Sequence, residues 1–217
     1  MKNNIPKINY TNEPVNKNEF TDKLDKEYSK YAWIYDTGVK ILPFWKTWIK
    51  KAIPLIKGPR VLEASFGTGY LLTKYARNYE VHGIDYNQKM VEIAGRNCRR
   101  KNIQANLQKG NVEELPFEDN FFNTIINTMA FSGYPDADKA MSEFYRTLNQ
   151  NGRLIIIDFN YPENRNRLGM KIVKSMEQAG DIIRDMHLIF QKHNFTFTDQ
   201  AIGGFGSVHL YIAEKNQ

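Results

Sequence analysis

Cysteine is almost missing: Cys98 is the one thiol in 217 residues. An internal disulfide is therefore excluded, and the usage points to a reducing, cytoplasmic compartment. No run of about 18 apolar residues occurs, so no spanning helix is expected. The opening stretch Met1–Tyr10 lacks the apolar segment of a secretory signal. The four histidines form no metal set. His82 and His209 fall inside predicted strands and read as structural, while His187 and His193 fall on or beside a predicted helix. Acidic residues are absent from Thr37 to Arg60, where Lys40, Lys46, Lys50, Lys51, Lys57 and Arg60 stand. The net charge of +6 sits in the first 60 residues, with 12 Lys/Arg against 6 Asp/Glu; the remainder balances at 18 against 18. Such asymmetry reads either as a solvated helix face or as attraction to an anionic partner.

Two nucleotide signatures are also absent. The dinucleotide fingerprint G-x-G-x-x-G fails because Leu72 stands at its third glycine, and no G-x-x-x-x-G-K-[ST] loop occurs. What is present is Val61-Leu-Glu-Ala-Ser-Phe-Gly-Thr-Gly-Tyr-Leu-Leu72, an apolar run, a small flexible turn and a helical pattern. A strand-to-helix turn gathers backbone N–H groups at the positive end of a helix dipole. Gly67 and Gly69 have no Cβ, so a ligand can lie against bare backbone there. Glu63, just before the turn, would repel a pyrophosphate and attract an ammonium, by about 1 kcal/mol for exposed charges in contact. The loop therefore suits a nucleotide-type cofactor with a cationic end, such as S-adenosylmethionine.

Strands and helices alternate from residue 60: strands at Arg60–Ala64, Tyr79–Ile84, Ala105–Gln108, Phe122–Thr128, Arg153–Phe159, Phe195–Asp199 and Ser207–Glu214. Helices are predicted at Tyr70–Arg77, Gln88–Lys101, Asp136–Leu148 (closed by Asn151-Gly152), Arg165–Glu177 and Asp181–Lys192. Leu154–Ile157 is apolar throughout, as in a strand covered on both faces. The pattern argues an α/β fold with a doubly wound, mostly parallel sheet. The chain reads as a loose arm over residues 1–18 and a single domain over 19–217, in which residues 19–58 form N-terminal helices. Phe20, Leu24, Tyr28, Tyr31 and Tyr35 share one helical face. Val39–Lys57 mixes tryptophan with lysine; it suits docking on the core by its apolar side, or a membrane interface.

The glycine turn resembles motif I of the class I S-adenosylmethionine-dependent methyltransferases, with Glu63 as the acid, Ser65 in place of the first glycine, Phe66 at a position often small, and Gly67 and Gly69. Asp85-Tyr-Asn-Gln-Lys-Met90 and Gly110-Asn-Val-Glu-Glu-Leu-Pro-Phe117 are similar to two further segments of that family. Glu27–Asp36 resembles the tyrosine-containing opening of its ubiquinone/menaquinone-type and phospholipid-type members. The resemblance implies seven strands in the order 3-2-1-4-5-7-6, strand 7 antiparallel, and N-terminal helices capping the cleft. It implies that Asp85 binds the ribose hydroxyls and that Tyr86 and Met90 flank the adenine. Asn111, in place of an acid, and the Val112 N–H would hold the adenine edge, and Asn127 would line the far side of the cofactor. Tyr28 and Tyr35 are candidates to face cofactor or acceptor.

The acceptor side is expected from the N-terminal helices, Met129–Tyr134, Asn160–Met170 and Gly203–Gly206. Catalytic candidates are Tyr28, Tyr35, Tyr134 and Asp158, and no residue stands out as a general base. The acceptor would be a small or lipid-like molecule, with a possible peripheral contact of Val39–Lys57 with anionic membrane. The absence of an Asn/Asp-Pro-Pro-Tyr/Phe motif speaks against nucleic acid. Ser65 and Asn111, both departures from the family pattern, leave a catalytically inactive binding protein as the alternative. The oligomeric state is not legible.

Overall fold

The computed structural model describes residues 10–11, 13–17, 19–21, 26 and 43–215. Tyr28 and Tyr35 lie outside the described residues. The first described helix with assigned ends, α1 (Pro43–Ile49), starts at the proline and passes into a 3-10 turn over Lys50–Leu55 that contains Pro54. Proline fits a first helical position but removes a donor further on, which accounts for both the start and the tightening. Then come β1 (Arg60–Ala64), α2 (Leu72–Tyr75), β2 (Glu80–Asp85), α3 (Gln88–Arg100), β3 (Asn106–Lys109), β4 (Phe122–Thr128) and α4 (Ala137–Thr147). They are followed by β5 (Leu148–Phe159), α5 (Arg167–Ala179), α6 (Met186–Lys192), β6 (Phe195–Gly203) and β7 (Val208–Lys215).

The seven strands form one sheet in the order β3-β2-β1-β4-β5-β7-β6. β1 runs parallel to β2 and β4, and β4 to β5, whereas β7 is antiparallel to β5 and β6. The apolar β5 run explains its interior place between β4 and β7. Leu154 and Ile156 face one core with Phe144 of α4 and Phe190 of α6, while Ile155 and Ile157 face the other with Leu72 and Tyr75 of α2. All four β5 residues are fully buried, each contributing about 1.5–3 kcal/mol. The helix starts are fixed locally: Asn87, Asp136, Asn166 and Asp185 each accept a backbone N–H of their own first turn.

Three expectations are corrected. The helix predicted from Asp181 begins only at Met186, because the preceding N–H groups are taken elsewhere. Ile182 N–H donates to Ser132 O (2.8 Å) and Ile183 N–H to Thr11 Oγ1 (3.2 Å). Asn151-Gly152 does not close α4. That helix ends at Thr147, and Asn151, at φ 61°, bends the chain inside β5 between the Leu148 and Arg153 pairings. The described part of the arm expected to be loose over residues 1–18 is tied down. Thr11 N–H donates to Ile183 O (2.9 Å), its hydroxyl to Glu177 (2.7 Å), and Lys17 pairs with Asp136 (2.6 Å).

Candidate cofactor and acceptor site

β1 and β2 are neighbours in parallel, so their C-terminal ends open on the same crevice. Asp85 ends β2 and is buried. Its carboxylate accepts the Gly67 N–H at 2.8 Å and the Asn87 N–H at 2.9 Å. Two backbone donors thus hold it facing the glycine turn, and a carboxylate can accept further bonds. Gly67 adopts φ 54°, and the space where a side chain would stand is open. Gly69, at φ 71°, is turned the other way, against Ala94 of α3. It shapes the turn and is not among the cavity-lining residues.

A cavity of about 680 Å³ starts at this turn. Its cofactor-side wall includes Glu63, Ser65, Phe66, Gly67, Asp85 and Tyr86, continued by Met90, Asn111 and Val112. The Phe66 ring packs across Gly83 of β2, where a Cβ would stand 2.6 Å from it, so a missing side chain on one strand makes room for the ring. Asn111 Oδ1 accepts the Glu113 N–H (3.0 Å) and so braces its own loop. Glu63 is buried behind the turn, where it accepts the Tyr75 hydroxyl (2.8 Å). Burial pushes its carboxyl up to about 8, against the Tyr75 and Leu72 hydrogen bonds that favour the anion.

Ser65, at the first glycine position, adopts φ 57°, a left-handed conformation that glycine takes without strain. Its hydroxyl lies 2.7 Å from that of Tyr134. Asn127 Nδ2 donates to Tyr134 Oη (2.6 Å) and to Ala64 O (3.1 Å). Asn127 is fully buried behind Tyr134 and does not line the cavity, which corrects its expected place beside the cofactor.

At the far end Met129, Ser132 and Tyr134 line the cavity with Asp158, Met176 and Asp181. Ser132 joins the two carboxylates: its hydroxyl is 3.1 Å from Asp158 Oδ1 and 2.7 Å from Asp181 Oδ1, and its N–H donates to Asp158 Oδ2 (2.8 Å). Burial, and then the neighbouring Asp181 charge, raise Asp158 to about 6, against the Ser132 and Phe159 N–H bonds. Asp181 is also raised by burial. Sequence reading missed Ser132 and Asp181 as a unit. It placed Met129–Tyr134 here, but Asn160–Met170 and Gly203–Gly206 are not among the lining residues; Met176 of α5 stands there instead. Asn160 is buried and donates to the Tyr211 hydroxyl (2.8 Å).

His82 packs among Phe117, Phe121 and Phe122, and His209 Nδ1 pairs with Asp199 (2.7 Å); neither lines the cavity. Among the described residues, no group of three metal-ligating side chains occurs, and no helix is long and apolar enough to cross a membrane.

The sheet order, the bare glycine turn and the carboxylate beside it define a Rossmann-like protein built for a nucleotide-type cofactor. A family model described as a methyltransferase domain matches residues 61–152. The ubiquinone/menaquinone biosynthesis C-methyltransferase UbiE of Proteus mirabilis is 30% identical over 159 residues, covering 68% of this chain and 63% of that protein. The protein of the same name from Psychromonas ingrahamii is 33% identical over 124 residues, covering 54% and 49%. This chain thus spans less than two thirds of the length of these relatives. Among solved structures, the YcgJ protein of Bacillus subtilis aligns with a TM-score of 0.68 at 18% identity, covering 79% of this chain and 99% of that one. A possible histamine N-methyltransferase of Thermotoga maritima aligns with a TM-score of 0.70 at 18% identity, covering 87% and 98%. Residues 61–152 thus match a methyltransferase domain, in a fold similar to that of a solved S-adenosylmethionine-dependent methyltransferase.

Proposed function

We propose that this chain binds S-adenosylmethionine in the crevice and transfers its methyl group to a small-molecule acceptor held at the far end of the same cavity. One observation carries the reading: a single cavity joins the glycine turn and Asp85 to Ser132, Asp158 and Asp181. S-adenosylmethionine supplies an electrophilic methyl group on a sulfonium.

The residues present fit that cofactor. Asp85, held by two N–H donors, would accept the ribose hydroxyls, each such bond contributing about 1.5–3 kcal/mol. Tyr86 and Met90 would flank the adenine, with Asn111 and Val112 at its edge. Bare backbone at Gly67 allows close approach. Glu63, near neutral in the buried site, gives up its proton when a cation comes beside it.

On the acceptor side, Ser132, Tyr134, Asp158 and Asp181 would orient the nucleophile. Orientation alone supplies up to about 7–11 kcal/mol in favourable intramolecular cases. Asp158, raised to about 6, is poised to take a proton near neutral pH. The relatives' printed name supports including ring acceptors of the quinol kind. Trp45 of α1, which lines the cavity, supports including lipid-like ones. A peripheral contact of residues 39–57 with anionic lipid belongs to the same proposal, and salt-sensitive sedimentation with anionic vesicles tests it.

The test of the main reading is transfer of labelled methyl from S-adenosylmethionine to quinol, phospholipid, amine and thiol acceptors. Label in one class supports the reading. Bound cofactor with no transfer to any class favours the inactive alternative.

A further inference from the structure

The basic excess ahead of the glycine turn divides into two kinds of lysine. Lys57 pairs with Glu214 (2.7 Å) and Lys51 donates to Ile202 O (3.2 Å), so both are spent on holding the 3-10 turn to the sheet. Lys46 and Lys50 are placed differently. Their ammonium nitrogens lie 5.2 and 5.9 Å from the centroid of one ring, Tyr70, and Lys74 of α2 brings a third to 5.4 Å. Among the described residues none of the three takes part in an ion pair. Trp45 packs on the same ring, with centroids 5.7 Å apart. Tyr70 and Trp45 both line the cavity, whereas the three lysines do not; they reach its edge only through the Tyr70 ring, within 6 Å of its centroid.

Three like charges around one ring repel each other. The ring offsets part of this, since an exposed cation–π contact contributes about 0.5–1 kcal/mol. Each nitrogen is closer to the ring centre than the Debye length of about 8 Å at physiological salt, so their fields add at one point. A group with two or more negative oxygens meets that field best, because each ammonium is a strong point-charge donor to phosphate. The cavity behind the rim is mainly apolar at Ile49, Leu71, Met129 and Phe159.

We propose that Lys46, Lys50 and Lys74, gathered around Tyr70, hold a phosphate or pyrophosphate group of the methyl acceptor at the cavity rim, with the acceptor's apolar part inside. This rests on the methyl-transfer reading and names the class of its acceptor: an amphiphile with a phosphorylated end. The phosphate could be presented free in solution or by a lipid surface.

The test compares the full chain with a variant carrying Lys46→Gln, Lys50→Gln and Lys74→Gln. Calorimetry measures dodecyl phosphate below its micelle concentration, inorganic pyrophosphate and, separately, S-adenosylmethionine; sedimentation measures phosphatidylglycerol vesicles. The proposal expects dodecyl phosphate to bind the unmodified chain more tightly than pyrophosphate. It expects at least tenfold weaker dodecyl phosphate binding in the triple variant, with cofactor affinity kept within twofold. Loss confined to the vesicle arm identifies a bilayer as the source of the phosphate, and loss in the soluble arm a free acceptor. Equal binding by both proteins in both arms overturns the proposal. So does a loss of cofactor affinity alone, which would assign the lysines to the cofactor's carboxylate. Absence of cofactor binding in the unmodified chain instead removes the methyl-transfer reading, and the lysine comparison still decides the anion site.

Discussion

The Ser65 and Tyr134 hydroxyls lie 2.7 Å apart, although 69 residues separate them in the chain. Asn127 Nδ2 cannot accept, so the tyrosine oxygen must accept from it. Two hydroxyl protons then share a single Ser65–Tyr134 bond, so one hydroxyl proton is left over at a pair that lines the cavity. The serine that replaces a family glycine thus closes a network across β1 and β4, and that network holds it in a left-handed conformation.

This network predicts coupling. Tyr134→Phe should cost about 1–3 kcal/mol, because a buried Asn127 N–H loses its acceptor. Ser65→Gly should cost less, since it loses one bond while relieving the positive φ. The double variant should be less destabilised than the sum by at least about 0.5 kcal/mol in urea unfolding. Strict additivity would show that the two hydroxyls do not act together.

Glu63 predicts a pH dependence of stability. Burial raises its folded value to about 8, whereas an unfolded glutamate titrates near ~4.3. Between these values the folded chain keeps a proton that the unfolded chain has released, so the group costs stability as pH rises through that window and levels off above it. Glu63→Gln still accepts the Tyr75 hydroxyl and cannot ionise. Its stability relative to the unmodified chain should therefore grow steadily from pH 5 to pH 8, read from urea midpoints. A difference independent of pH would contradict the assignment.

Asp158 predicts a limb in the rate profile. If its carboxylate takes the acceptor's proton, kcat/KM should fall as pH drops below about 6, where the group protonates. Asp158→Asn should lower kcat by roughly 10²–10⁴ and abolish that limb. Persistence of the limb in the variant would move the base elsewhere.

Arg184 predicts the behaviour of the N-terminal arm. Its buried guanidinium donates to the Phe131 and Tyr134 carbonyls and meets Glu13 at 3.4 Å. Arg184→Ala leaves buried carbonyls unpaired, at about 1–3 kcal/mol each, and releases one anchor of the arm. Tm should fall, and proteolysis within residues 10–21 should become faster. A lower Tm with unchanged proteolysis would confine the effect to the carbonyls.

Much of this fold is written locally. The apolar run Leu154–Ile157 announces a strand covered on both faces, and Gly67, Gly69 and Asp85 announce the crevice, because each depends on its own strand end. What could not be read depends on long-range partners. Asp181 reaches the cavity only because the Ile182 N–H bonds to Ser132 O and keeps residues 181–185 out of the helix. Asn127 looked like a strand-end contact, yet it is fully buried and its amide nitrogen is taken by Ala64 and Tyr134. The lysines before β1 were equivalent as letters; only the folded chain separates Lys51 and Lys57, which have partners, from Lys46 and Lys50, which gather on Tyr70.

The central claim is that an adenosyl group lies between the glycine turn and Asp85. Calorimetric titration of S-adenosylmethionine into the unmodified chain and into Asp85→Ala tests it most directly. Saturable binding that weakens at least tenfold on losing the carboxylate is the predicted result. No heat at millimolar cofactor, or equal affinity for both proteins, would contradict it.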